Sequence, residues 1–112
     1  MAANQERRHE RRISAINLVN IEIDSGDAGA EELVGRTLDL SQDGMRVELS
    51  HALPLGSPVR VRFALVDRLL DVEAVVRSSA DLAGEMVAVG LEFSHIDDDT
   101  RAALIAYLKA HP

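Results

Sequence analysis

This chain of 112 residues has no cysteine, so disulfide bridges and metal sites built on thiolates are excluded. It has no tryptophan, and its few aromatic residues, Phe63, Phe93 and Tyr107, cannot form a surface on which nucleic-acid bases stack. No apolar run approaches the roughly 20 residues of a membrane-spanning helix, and the polar N-terminus lacks the apolar segment of a signal peptide. These absences predict a soluble, cytoplasmic protein without a membrane span.

Charge is unevenly distributed along the chain. The net charge of −7 argues against a broad footprint for duplex DNA or RNA, since polyanion binding depends on phosphate neutralisation. Residues 1–12 nevertheless hold four arginines against two glutamates, whereas residues 13–112 hold 8 basic against 17 acidic groups. We therefore expect an acidic domain preceded by a short basic arm at residues 1–13. The dense charge run in that arm predicts a flexible segment.

Apolar and polar residues alternate in several short stretches after the arm, as they do in half-buried strands. The alternation occurs at residues 19–24, 34–40, 44–49, 59–65, 70–77 and 87–93. Polar residues, glycine and proline predict connecting loops at residues 24–32, 51–58 and 78–85. Short strands at this spacing, followed by one helix, indicate a single all-β domain. The expected fold is a small six-stranded antiparallel β-barrel over residues 14–112 with a C-terminal helix at about 97–110.

The terminal helix has a clear start signal. Asp97 is typical of an N-cap residue, Asp98 and Asp99 complement the positive end of the helix dipole, and Leu104 and Leu108 belong to an apolar stripe. A capped helix explains the three aspartates without a bound cation. The histidines lack the spacing of metal ligands (His9, His51, His95 and His111). We therefore expect no metal site.

The stretch Asp39-Leu40-Ser41-Gln42-Asp43-Gly44 joins the end of a strand to a turn. In an extended strand Leu38 and Leu40 face the core, while the Asp39 carboxylate and the Ser41 hydroxyl share the opposite face. The turn cluster ends in Gly44, which can adopt positive φ. A hairpin whose outer face presents hydrogen-bond acceptors is one interpretation, and an ordinary turn with a solvated rim is the other.

Two motifs occur together in this strand-rich chain. Arg8 and Arg12 form R-x-x-x-R with Arg7 directly ahead, and Asp39, Ser41 and Gly44 form D-x-S-x-x-G. Neither motif is specific alone, but their order and placement resemble the two signature motifs of the PilZ domain family. The resemblance extends along nearly the whole chain, through Gly90-Leu91-Glu92-Phe93 to the final helix.

The resemblance implies binding of cyclic di-GMP, a bacterial second messenger with two guanines and two phosphates, with no cofactor and no bond made or broken. It implies that the ligand is bound by Arg7, Arg8, Arg12, Asp39, Ser41 and Gly44, with Arg11 and Gly90 as additional candidates. The residue chemistry fits this ligand. Guanidinium groups match phosphate oxygens and the O6/N7 edge of guanine, and the Asp39 carboxylate can accept from the N1 and N2 donors of guanine.

The resemblance also implies how the protein signals. The arm is mobile without ligand and folds over the barrel when the messenger binds, which changes the surface that a downstream protein partner meets. The sequence does not identify that partner. A basic residue before the first motif arginine, here Arg7, is associated in the family with an intercalated ligand dimer. Both one ligand molecule and a dimer therefore stay open.

Other functions are less consistent with the sequence. A protein-interaction module on the same fold that binds no nucleotide is the alternative, and the intact motifs argue against it. An RNA-binding barrel conflicts with the acidic net charge and the scarce aromatic residues. Ser41 lacks the G-x-S-x-G context of a hydrolase nucleophile, so we expect no enzyme. The outward arginines Arg60, Arg62 and Arg77 indicate solvated sheet faces, with phosphate contacts as the alternative.

Overall fold

A computed structural model describes the protein over residues 18–24, 30–65 and 68–110. The strands are β1 Leu18–Asp24, β2 Ala30–Leu40, β3 Gly44–Leu49, β4 Pro58–Leu65, β5 Arg68–Asp81 and β6 Val87–His95, and the helix is α1 Asp98–Ala110. A single turn of 3-10 helix, Ala83–Glu85, connects β5 to β6. No helix within the described ranges has the length and apolar character needed to cross a membrane.

The six strands close into a barrel in the order β1-β2-β3-β6-β5-β4, with β4 paired back onto β1. All six pairings are antiparallel. Four of them join strands that follow each other in the chain, whereas β3-β6 and β1-β4 join segments distant in sequence. The predicted six-stranded antiparallel barrel with a C-terminal helix is confirmed.

The residues whose alternation predicted the strands fill the barrel interior. In β4, Val59, Val61 and Phe63 are buried, while Arg60 between them is exposed. The fully buried Leu104 of α1 joins the same core cluster. Removing such side chains from water is the main favourable term in folding, at about 1.5–3 kcal/mol for a fully buried aliphatic residue.

Several segments meet at one end of the barrel. β2 ends and β3 begins there, and β6 leads from there into α1. Because antiparallel neighbours alternate in direction, β1 also begins on this side. Leu18, the first residue of β1, therefore lies on the side of the barrel that holds the β2–β3 turn and α1.

Two of the predicted loops are partly wrong. β5 continues to Asp81, and residues 78–81 pair with β6 inside the predicted loop at 78–85. The side chains of residues 78–81 are exposed, so this part of the ladder lacks the apolar alternation that marks a strand in a sequence. β2 begins at Ala30, inside the predicted loop at 24–32.

A β-bulge interrupts the alternation of buried and exposed residues in β2 just before Asp39. Thr37 pairs with Val47, but Asp39 pairs with Arg46, so Leu38 is an extra residue in β2. The expectation that Leu38 and Leu40 both face the core is therefore wrong for Leu38. Thr37 takes the buried position, and Leu40 packs against the core beyond the bulge.

The start of α1 is capped as the sequence predicted. The backbone N–H of Thr100 donates to Asp97 Oδ1 at 2.7 Å, and Asp98 and Asp99 follow in the first turn. The hydrogen bond from this N–H, together with one from the Thr100 hydroxyl, holds the pKa of Asp97 below its ordinary value.

This cap predicts a pH dependence of stability. Because the folded-state pKa of Asp97 is depressed, the charged cap stabilises the fold above the ordinary carboxyl pKa of 3.8, and this contribution disappears as the pH falls through the folded value. Asp97→Asn keeps a capping oxygen but cannot titrate. We expect the unfolding midpoint of the unaltered protein to fall more steeply than that of Asp97→Asn below about pH 4. Urea unfolding at a series of pH values measures both curves, and parallel curves would contradict the assignment.

Candidate ligand-binding groove

The β2–β3 turn is held together by the hydroxyl of Ser41. This oxygen accepts a hydrogen bond from Asp43 N at 3.2 Å and donates one to the Gly44 carbonyl oxygen at 3.2 Å. Ser41 N also donates to Gly44 O at 2.8 Å. A hydroxyl has one donor and two acceptor positions, so Ser41 can offer a ligand an acceptor but not its donor while the turn is intact.

Gly44 is required by close packing between strands. Among the described glycines only Gly56 and Gly84 have positive φ, so Gly44 does not use the positive φ that glycine allows. Gly44 instead begins β3 and pairs with Glu92 of β6. A Cβ at this position would overlap the backbone carbonyl oxygen of Leu91. The turn therefore lies against β6 at a distance that only glycine permits.

Asp39 is oriented by an arginine on the neighbouring strand. Arg46 Nε donates to Asp39 Oδ2 at 2.7 Å, and the two residues are direct partners across the β2-β3 ladder. The Asp39 side chain is 23% exposed. The bulge at Leu38 brings about this pairing, because it shifts the register of β2 immediately before Asp39.

The turn and the neighbouring strands enclose an open groove of about 400 Å³ on the outer face of the barrel. Its lining residues are Asp39, Ser41, Asp43, Gly44, Met45, Arg46, Arg77, Gly90, Leu91 and Glu92. A Cβ at Gly90 would clash with the Ser78 hydroxyl, so the Ser78 side chain occupies the space beside this glycine. The sequence-based expectation was that Gly90 permits close approach, and the group that approaches it within the structure is the Ser78 side chain.

The opposite wall of the groove carries a second ion pair. Arg77 Nε donates to Glu92 Oε1 at 2.6 Å. The described lining thus holds three carboxylates, Asp39, Asp43 and Glu92, against two guanidinium groups, a net charge of −1. A dianionic ligand therefore needs further positive charge from outside this lining.

The structure brings Asp39, Ser41, Gly44 and Gly90 into one groove. The predicted arm residues lie outside the described residues (Arg7, Arg8, Arg11 and Arg12). Sequence reasoning missed Arg46 and Glu92, and it assigned Arg77 to a solvated face. The only signal was their outward position on alternating strands, a feature they share with many charged residues outside the groove.

The other outward arginines do not line the groove. Arg62 Nε donates to Asp71 Oδ2 at 3.2 Å, and Arg60 lies 3.5 Å from Glu73. These pairs cross the β4-β5 ladder and are exposed, as a solvated sheet face requires. Within the described ranges, no group of three or more metal-binding side chains comes together.

Comparison with known proteins identifies the family. A sequence profile of the PilZ domain matches residues 5–110. The chain belongs to the PilZ domain family. This match covers both motifs, the barrel and α1. A comparison of this PilZ domain with curated proteins gives no match.

Solved structures share the fold of this PilZ domain. The inhibitor of motility MotI/DgrA of Bacillus subtilis is 25% identical with a TM-score of 0.74, over 88% of this chain and 48% of that one. The PilZ domain of Escherichia coli YcgR, solved with c-di-GMP, is 14% identical with a TM-score of 0.68, over 88% and 83%. The PilZ domain of CeSA from a cellulose-synthesizing bacterium is 22% identical with a TM-score of 0.64, over 88% and 95%. This chain thus spans about half the length of the Bacillus protein.

Proposed function

We propose that this PilZ domain is a receptor for cyclic di-GMP, which binds in the groove beside the β2–β3 turn. The observation that carries the proposal is the convergence of Asp39, Ser41, Gly44 and Gly90 on one groove. Membership of the PilZ family supports it, and the YcgR domain of the same fold was solved with this ligand. Recognition needs no bond to be made or broken, so the proposed role is binding and not catalysis.

The groove residues that the structure describes fit the guanine base of the ligand. The Asp39 carboxylate accepts from guanine N1–H and N2–H, and Arg46 fixes its orientation at 2.7 Å. Ser41 adds an acceptor from the turn, and Gly90 and Ser78 present only small groups to a planar base that lies on the strands. Hydrogen bonds to charged groups contribute about 1.5–3 kcal/mol each.

The N-terminal arm supplies the charge that the groove lacks. We propose that residues 1–13 form a flexible arm on the barrel of residues 14–112, and that Arg7, Arg8 and Arg12 bind the phosphates, with Arg11 as a further candidate. β1 begins on the side that holds the turn, so the arm attaches near the groove. The net charge of −1 in the described lining makes this contribution necessary for a dianion.

Ordering the arm costs conformational entropy, which lowers the affinity for the ligand. Fixing about six residues costs roughly 1–2 kcal/mol each in backbone entropy, and charged hydrogen bonds return roughly 1.5–3 kcal/mol apiece. The two contributions nearly offset each other. Micromolar affinity, about −8 kcal/mol, therefore needs most of the arm arginines engaged. This balance lets ligand binding switch the arm between two states, which changes the surface offered to a protein partner.

A protein-interaction role without nucleotide is the second candidate. It is favoured by the similarity to the Bacillus protein, whose name describes inhibition of motility, at 25% identity. For this chain, a protein-interaction role would require a partner protein that recognises the barrel surface.

Isothermal titration of the full chain with cyclic di-GMP, beside GTP and cyclic GMP, tests the receptor proposal. Saturable binding of the cyclic dinucleotide alone is the expected result, and the stoichiometry decides between one ligand and an intercalated dimer at Arg7. A ligand at about 100 times its Kd should also stabilise the fold by about 2.7 kcal/mol. No heat and no thermal shift would favour the interaction module.

A further inference from the structure

The groove contains two carboxylate–guanidinium pairs, one on each wall. Arg46 contacts Asp39 at 2.7 Å, and Arg77 contacts Glu92 at 2.6 Å. The proposed ligand likewise has two equivalent halves, each with one guanine and one phosphate. The family motif accounts for only one of the two acidic residues, Asp39.

We propose that Glu92 and Arg77 are further ligand-binding residues that recognise the second guanosine phosphate half of the cyclic dinucleotide. The Glu92 carboxylate accepts from the guanine N1–H and N2–H donors, and the Arg77 guanidinium binds a phosphate oxygen. This inference rests on the proposed function, because it assigns additional contacts to the same ligand in the same groove.

The strand register places the two pairs at a suitable separation. Arg46 lies opposite Gly90, and Gly90 lies opposite Ser78, the neighbour of Arg77. The two walls are therefore about two interstrand spacings apart, roughly 10 Å. Between them lie Gly90, which has no side chain, and Ser78, whose hydroxyl occupies the space beside Gly90, so a ligand that bridges both walls crosses only small residues.

A register shift accompanies each pair. In β2 it lies between Thr37 and Asp39, and in β5 it lies between Val76 and Ser78, so that Arg77 is the extra residue. Bulges redirect side chains and are frequent beside binding sites. The bulge at Arg77 places its side chain over β6, where it meets Glu92 across the ladder.

The second pair is also accessible to a ligand. The side chains of Arg77 and Glu92 are 61% and 55% exposed. Ion pairs that are this exposed contribute little to stability, so both groups can exchange partners without weakening the fold. The ligand offers each group a partner of the right sign, because phosphate replaces Glu92 at Arg77 and guanine donors replace Arg77 at Glu92.

Calorimetric titration of the 112-residue variants Glu92→Gln and Arg77→Gln with cyclic di-GMP tests the inference. We expect each variant to bind at least about tenfold more weakly. Whether Glu92→Gln weakens or tightens ligand binding is the decisive result. If Glu92 only neutralised Arg77, its removal would free a cation for the phosphates and tighten binding. The salt dependence of affinity should also decrease in Arg77→Gln, since one phosphate contact is lost.

Glu48→Gln is the matched control, because Glu48 pairs with Arg36 on the same outer face but does not line the groove. It should bind within about twofold of the unaltered protein, and thermal unfolding should show all three variants folded. The inference is overturned if Glu92→Gln or Arg77→Gln binds as the unaltered protein does while Asp39→Ala loses binding. In that case the receptor proposal stands. Absence of binding by the unaltered protein would overturn both.

Discussion

Replacing Arg8 and Arg12 together by alanine is expected to weaken cyclic di-GMP binding by more than either single replacement, each of which should cost at least about tenfold. The reason is electrostatic. The described lining of the groove has a net charge of −1, so a dianionic ligand is repelled unless the arm supplies guanidinium groups. Isothermal titration of Arg8→Ala, Arg12→Ala and the double variant measures the loss directly.

The double variant should leave the barrel intact. Within the described residues the core cluster is formed by side chains of the strands, of α1 and of the loop residue Leu53, so we expect the thermal unfolding midpoint without ligand to be unchanged. Arg101→Ala, which removes an exposed arginine of α1, is the control for a general loss of positive charge. Affinity should also fall with added salt in the unaltered protein and less steeply in the double variant. An unchanged Kd in either single variant would show that the replaced arginine does not bind the ligand.

Gly44→Ala is expected to destabilise the fold by about 3 kcal/mol and to weaken ligand binding at the same time. Its Cβ would overlap the carbonyl oxygen of Leu91, and this neighbour is backbone, which cannot rotate away as a side chain can. Either β3 separates from β6 or the β2–β3 turn moves. Both changes displace Ser41 and the adjoining wall of the groove.

Urea unfolding measures the stability of Gly44→Ala, and titration below its unfolding transition measures its affinity. Gln42→Ala is the matched control, because Gln42 is an exposed residue of the same turn. The control should change stability by less than about 0.5 kcal/mol. A Gly44→Ala protein as stable as the unaltered one would show that close packing against Leu91 does not explain this motif glycine.

The partner-binding role that we propose requires the surface of the protein to differ between the ligand-free and the ligand-bound state. Leu18, where β1 begins, lies on the side of the barrel that holds the turn and α1, so we propose that an arm ordered by ligand covers the surface next to both. A partner that reads this surface would meet different side chains in the two states. Such a difference in contacts is the physical requirement for a ligand-driven switch.

The sequence alone determined the fold class, the position of most strands and the cap of α1. These features follow from local rules: alternation places Val59 and Val61 inside, and Asp97 caps the helix because its carboxylate reaches an N–H three residues later. The motif residues Asp39, Ser41 and Gly44 were also evident, because their spacing is itself a pattern in the chain.

Only the tertiary structure decided how these residues meet the rest of the groove. Arg46, Arg77 and Glu92 lie on three different strands. The two bulges that bring Asp39 opposite Arg46 and Arg77 beside Glu92 depend on the register between strands. Register and closure arise from pairings such as β3-β6 that join distant segments, and no local pattern in the sequence encodes them. The role of Gly44 has the same origin, since the atom that excludes a side chain there belongs to Leu91, far along the chain.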